Sequence, residues 1–64
     1  MVLLTDDQLA ERWGLSVKRL ANDRSAGRGP QFVKLGDGLR APVRYPLEIV
    51  ERYELDRLRS STAR

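Results

Sequence analysis

Leu9, Ala10 and Trp13 recur at helical spacing and form one apolar stripe directly after a set of helix-starting signals. Thr5 stands at the N-cap position, and Gln8 lies three residues on, the spacing of a capping box. Leu4 and Leu9 occupy the two positions of a hydrophobic staple, and Asp6 and Asp7 favour the positive end of the helix. Gly14 ends this helix, because glycine accepts the left-handed backbone of a tight exit. Ser16 caps a second helix only two residues later, with Leu20 and Ala21 inside and Gly27 as its stop. Two short helices joined across Gly14-Leu15-Ser16 predict the corner of a helix-turn-helix, with small Ala10 where the helices cross.

The pattern then changes. Arg28-Gly29-Pro30 is not helical, Gln31 to Leu35 reads as a strand, Gly36-Asp37-Gly38 as a turn, and Val43 to Tyr45 as a returning strand. Pro42 belongs at a strand start or on an edge, where its missing N–H breaks no ladder. Pro46 suits the first turn of a last helix running from about Leu47 to about Leu58. Leu9, Trp13, Leu15, Leu20, Val50 and Tyr53 are the expected core joining the three helices.

Sixty-four residues allow one domain with one modest core, of which folding buries only about 60% of the unfolded chain's surface. Cysteine and histidine are absent, which removes disulfides, the usual zinc sites and the commonest general base. No apolar run reaches membrane-spanning length and no signal-peptide pattern opens the chain, so a cytoplasmic, nucleoid-associated protein of a bacterial host is expected. The net charge of +3 is unevenly spread. Residues 1–16 carry Asp6, Asp7 and Glu11 against Arg12, a net of −2. Residues 17–45 carry Lys18, Arg19, Arg24, Arg28, Lys34, Arg40 and Arg44 against Asp23 and Asp37, a net of +5. Residues 46–64 balance four basic with four acidic groups. A basic middle is the footprint of a surface that meets a polyanion, and its bland counterpart is a solvated charged face.

At Leu20-Ala21-Asn22-Asp23-Arg24-Ser25-Ala26-Gly27-Arg28-Gly29-Pro30, then Phe32-Val33-Lys34-Leu35-Gly36 and Val43-Arg44-Tyr45, the chain resembles the excisionase and AlpA-like small winged-helix proteins, relatives of the MerR-type DNA-binding domain. The resemblance covers roughly residues 3 to 53. It implies a recognition helix in the major groove and a hairpin wing against the backbone or minor groove. Asp23 departs from the pattern: many members carry tryptophan there, and aspartate leaves less core and a repulsive charge near phosphate. The expected fold is α+β, a winged helix-turn-helix over residues 1–59 with two N-terminal helices, a two-stranded hairpin wing and a C-terminal helix. Residues 60–64 are expected to form a frayed tail.

Helical geometry reaches a DNA surface without the family. Val17, Leu20, Ala21 and Arg24 cluster on one side of the second helix, and Lys18, Arg19, Asn22 and Ala26 lie opposite. Lys18 and Arg19 are placed for phosphate or guanine, and Asn22 can offer a paired donor and acceptor to adenine or stand as an ordinary exposed amide. Arg24 has its Cα on the core side, so it either snorkels to the rim or pairs with Asp23 or another acid as a structural group. Ser16, Ser25 and Arg28 lie at the helix ends and the following loop, within reach of phosphate. Lys34, Arg40 and Arg44 lie on or near the hairpin, where they serve a minor groove or merely guard an exposed edge.

An enzyme is disfavoured: no histidine activates Ser16 or Ser25, and Gly36-Asp37-Gly38 is too short for a phosphate loop. No cofactor is expected. A pure protein-interaction module leaves the charge asymmetry unexplained. Among DNA-binding roles the resemblance implies an excisionase, a recombination directionality factor that bends attachment-site DNA for a phage or plasmid integrase. A small AlpA-like transcription regulator and the DNA-recognition piece of a packaging terminase are the alternatives. The expected partners are double-stranded DNA, an integrase and further copies arrayed head to tail on DNA, with no membrane.

Overall fold

The computed structural model describes residues 1–38 and 40–62, with side chains through residue 58. In chain order its elements are β1 (Leu3–Leu4), α1 (Asp6–Trp13), α2 (Val17–Ser25), β2 (Val33–Lys34), β3 (Val43–Pro46) and α3 (Leu47–Thr62). The protein is a small α+β domain of three helices and a three-stranded antiparallel sheet. Among the described residues no helix is long and apolar enough to cross a membrane.

Local chemistry sets the first two helices. The Thr5 hydroxyl accepts from the Gln8 amide at 3.1 Å, and the Gln8 side chain accepts from the Thr5 amide at 2.9 Å, completing the capping box. At the other end of α1, Gly14 adopts φ +68°, so the Leu15 amide reaches the Ala10 carbonyl at 2.9 Å and the Gly14 amide the Glu11 carbonyl at 3.3 Å. That pair of bonds is a Schellman closure, which a residue with a Cβ adopts only under strain. The turn is therefore short enough for Ser16 to start α2 at once.

The sheet order is β1-β3-β2, and β1 was not expected. Leu3 pairs with Pro46 and Leu4 with Tyr45, while Val33 pairs with Arg44 and Lys34 with Val43. A second hairpin strand alone leaves one edge open, and the N-terminal residues cover it. The expected strand over Gln31 to Leu35 shortens to Val33–Lys34, and the returning strand extends through Pro46. Pro46 thus ends β3 rather than opening the last helix. Its missing N–H breaks no bond to β1, because along a strand the amides alternate in direction and it is the next one, that of Leu47, that reaches the Val2 carbonyl at 2.9 Å.

α3 runs to Thr62, past the Leu58 boundary, so residues 60–62 continue the helix instead of forming a tail. Ala63 and Arg64 lie outside the described residues. Leu9, Ala10, Leu20, Tyr45 and Val50 form the buried core, with Leu4, Trp13 and Val43 packed against it. Leu15, expected inside, is 36% exposed because it leaves the helix at the Schellman turn. Tyr53 is half-buried and tilts against Trp13 with ring centroids 5.6 Å apart.

α3 is clamped to α1 by one carboxylate. Arg12 donates to Glu54 through Nε at 2.7 Å and Nη2 at 2.8 Å, and the Trp13 indole donates to the same group at 2.6 Å. The hydrogen bond from Arg12, then that from Trp13, holds the Glu54 carboxyl at about 2, below its ordinary 4.5, against the opposing effect of desolvation. A folded-state pKa below the unfolded one stabilises the fold above the unfolded value, and that contribution is lost as pH falls toward the folded value. The melting temperature is therefore expected to drop between about pH 5 and about pH 2, and Glu54→Gln to show a shallower drop over that window. Superimposable pH profiles for the two proteins, read by circular dichroism, would rule out this clamp as a source of acid sensitivity.

Candidate functional site

Every outward group of α2 is placed by its two ends. Ser16 uses its hydroxyl as the N-cap, accepting from the Arg19 amide at 3.0 Å. Gly27, at φ +77°, closes the other end: the Arg28 amide bonds the Asp23 carbonyl at 2.8 Å and the Gly27 amide the Arg24 carbonyl at 3.1 Å. Between these caps Leu20 is buried, Ala21, Asp23 and Arg24 are half-buried, and Lys18, Arg19, Asn22 and Ser25 are exposed; Val17, expected on the inner side, is 39% exposed in the first turn. Lys18, Asn22 and Ser25 follow the three-to-four-residue repeat of one helix face. Among the described residues neither Lys18 nor Asn22 has a side-chain partner, so both present free donors on that face.

Arg24 points the other way. Its Nη1 donates to Asp6 Oδ1 at 2.7 Å and to the Tyr45 hydroxyl at 2.8 Å, and the guanidinium lies 5.7 Å from the centre of the Phe32 ring. The side chain is 18% exposed. Burial disfavours the charge, but the bond to Tyr45 and the charge of Asp6 outweigh it, and the guanidinium pKa rises. Burial likewise pushes the Tyr45 phenol up, against the pull of Arg24, so it stays neutral. One guanidinium thus ties α2 to the first turn of α1 and to β3. Of the two readings open for Arg24, the geometry is that of the structural pair, made with Asp6 of α1 and not with its neighbour Asp23, which meets Arg19 and Arg28.

Arg28 and Arg19 share a single acid. Arg28 Nη2 lies 3.3 Å from Asp23 Oδ1, and Arg19 Nε lies 3.7 Å from Asp23 Oδ2. Both arginines remain mostly exposed, at 68% and 64% of the side chain. Asp23, expected as a repulsive charge near phosphate, lies between two guanidiniums, that of Arg19 on α2 and that of Arg28 in the loop beyond it.

The hairpin does not gather its three cations on one surface. Residues paired across antiparallel strands point to the same face, so Lys34 shares a face with Val43 and Arg44 shares the opposite face with Val33. Lys34 is exposed; Arg44 is half-buried and bends back to the Val43 carbonyl, Nη1 to O at 2.9 Å. Arg40 is exposed in the connection beyond Gly38, and Leu39 beside it lies outside the described residues. The base of that connection is tied by the Leu35 amide to the Pro42 carbonyl at 2.8 Å.

Asp6, Tyr45 and Glu54 act in these networks without having been singled out for them. Asp6 and Arg24 are separated by 18 residues and Arg12 and Glu54 by 42, and no local pattern relates positions so far apart. Comparison with protein-family models, with curated proteins and with solved structures finds no match.

Proposed function

We propose that the chain is a winged helix-turn-helix protein that binds duplex DNA, with α2 as the recognition helix and the β2–β3 hairpin as the wing. The observation that carries the reading is the exposed face of α2, where Lys18 and Asn22 stand outward with exposed Arg19 at its edge, while Leu20 and Arg24 anchor the helix from the other side. In this reading Asn22 and Arg19 contact base edges, since a side-chain amide matches adenine and a guanidinium matches guanine. Lys18, Ser16, Ser25 and Arg28 contact phosphate, and Lys34, Arg40 and Arg44 reach the flanking backbone or minor groove from the two faces of the wing. Arg24 contacts no DNA and sets the seat of α2. The role proposed is that of the resemblance, an excisionase acting with an integrase; loss of excision from an attachment-site reporter on deleting this chain is its direct assay.

About four to six phosphate contacts per protomer give a log–log salt slope of roughly −4 to −5. Affinity that stays level from low to moderate salt would remove the electrostatic basis of the proposal. Self-association on DNA belongs to the same titration. Leu55 and Leu58 are exposed on the outer turns of α3, and a head-to-tail contact through them need not close into a ring. Tighter binding per site on a duplex with three tandem sites than on one is expected; equal per-site affinity overturns the array.

A further inference from the structure

A cleft of about 470 Å³ opens between the end of α1, α2, the Gly29-Pro30 loop and α3. Trp13, Leu15, Leu20, Pro30, Tyr53 and Leu58 form its apolar walls. Its volume falls within the range of small-molecule sites, about 300–1,000 Å³, and three aromatic residues, Trp13, Tyr45 and Tyr53, line it. The charged groups that line it are unequal in sign. Arg19, Arg28 and Arg57 line it against Asp23 and Glu54. Glu54 is occupied by Arg12 and the Trp13 indole. Arg57 lies over the Tyr53 ring at 5.0 Å and donates to its hydroxyl at 3.0 Å. Asp23 is then the one lining carboxylate left for the two guanidiniums beside it, which it meets only at 3.3 and 3.7 Å.

An arginine carries five N–H donors, and one shared carboxylate leaves most of those on Arg19 and Arg28 unused. A neutral apolar guest satisfies the walls and ignores the charged groups; an anionic polar guest does the reverse. We propose that the cleft binds a small aromatic carboxylate, its ring against Trp13, Leu20 and Tyr53 and its carboxylate bridging Arg19 and Arg28. The inference stands apart from the DNA reading. Arg19 and Arg28 also belong to the proposed DNA surface, so an occupied cleft withdraws two cations from it.

Trp13 is the single tryptophan, so its emission reports on the cleft without a label and without DNA. The full chain is titrated with 3-phenylpropionate and, separately, with its neutral amide. The acid is expected to shift Trp13 emission saturably, with the amide weaker by about tenfold, the usual worth of a charge-assisted bond. Arg28→Gln and Arg19→Gln, each checked by circular dichroism for an intact fold, are expected to bring the acid close to the level of the amide. No saturable response to millimolar acid, equal affinity for acid and amide, or unchanged acid binding by both folded variants overturns the proposal.

Discussion

Tyr45→Ala is expected to leave the chain unfolded at room temperature, whereas Tyr45→Phe is expected to fold. Tyr45 is 1% exposed, the largest fully buried side chain among the described residues. Its ring lies among Leu9, Leu20 and Val50, and its hydroxyl accepts from Arg24. Truncating a buried aromatic to alanine costs about 3–5 kcal/mol through lost transfer energy and the cavity left behind. The same change removes an acceptor from a mostly buried guanidinium. Natural domains have only about 5–15 kcal/mol to lose, and a chain of this size sits at the low end. Phenylalanine keeps the ring and forfeits the hydroxyl with its interactions with Arg24 and Asp6, while Asp6 still holds Arg24, so about 1–2 kcal/mol is expected. Urea unfolding followed by circular dichroism separates the two. A cooperative Tyr45→Ala transition near the wild-type midpoint would show that the core does not depend on this residue.

The parts of this fold legible in the sequence are those written by neighbouring residues. Thr5 and Gln8, Ser16, Gly14 and Gly27 mark helix ends through contacts no more than a few residues apart, and all four boundaries stand where those residues place them. Leu3–Leu4 escaped notice because a two-residue strand has no alternation to read, and only its pairing with Tyr45 and Pro46 defines it. Leu15 was expected to join the core from the turn between the first two helices, yet after the left-handed Gly14 it is 36% exposed. For the candidate site, helical periodicity separated exposed Lys18, Arg19 and Asn22 from Leu20 and Arg24, since a single element's geometry decides it, but it put Val17 inside, where the structure leaves it 39% exposed. It did not find the Asp6 partner of Arg24. Nor did it show that Lys34 and Arg44 lie on opposite faces, because strand register depends on residues that meet only after folding.

The second large effect is expected in specificity. With a preferred site selected from random duplex, Asn22→Ala and Arg19→Ala should each lose about 1–3 kcal/mol of discrimination between that site and unrelated DNA. A bidentate pair to a base edge is available only on the right base, so its removal weakens specific binding alone. Arg19 is tethered to Asp23 only at 3.7 Å, so little holds it back from such a contact. Arg40→Ala and Arg44→Ala should weaken both kinds of DNA more evenly, since phosphates lie on every sequence. Equal losses on specific and random DNA from all four variants would contradict the division between reading and positioning.

The central claim is that the exposed face of α2 and the hairpin meet DNA. The most direct measurement follows backbone amide shifts of the whole chain as a short duplex is added. The largest changes are expected at Ser16, Lys18, Arg19 and Asn22 and around Lys34, Arg40 and Arg44. The buried anchors Leu9 and Val50 should move little. Changes confined to the outer turns of α3, or none at a duplex concentration well above that of the protein, would contradict it.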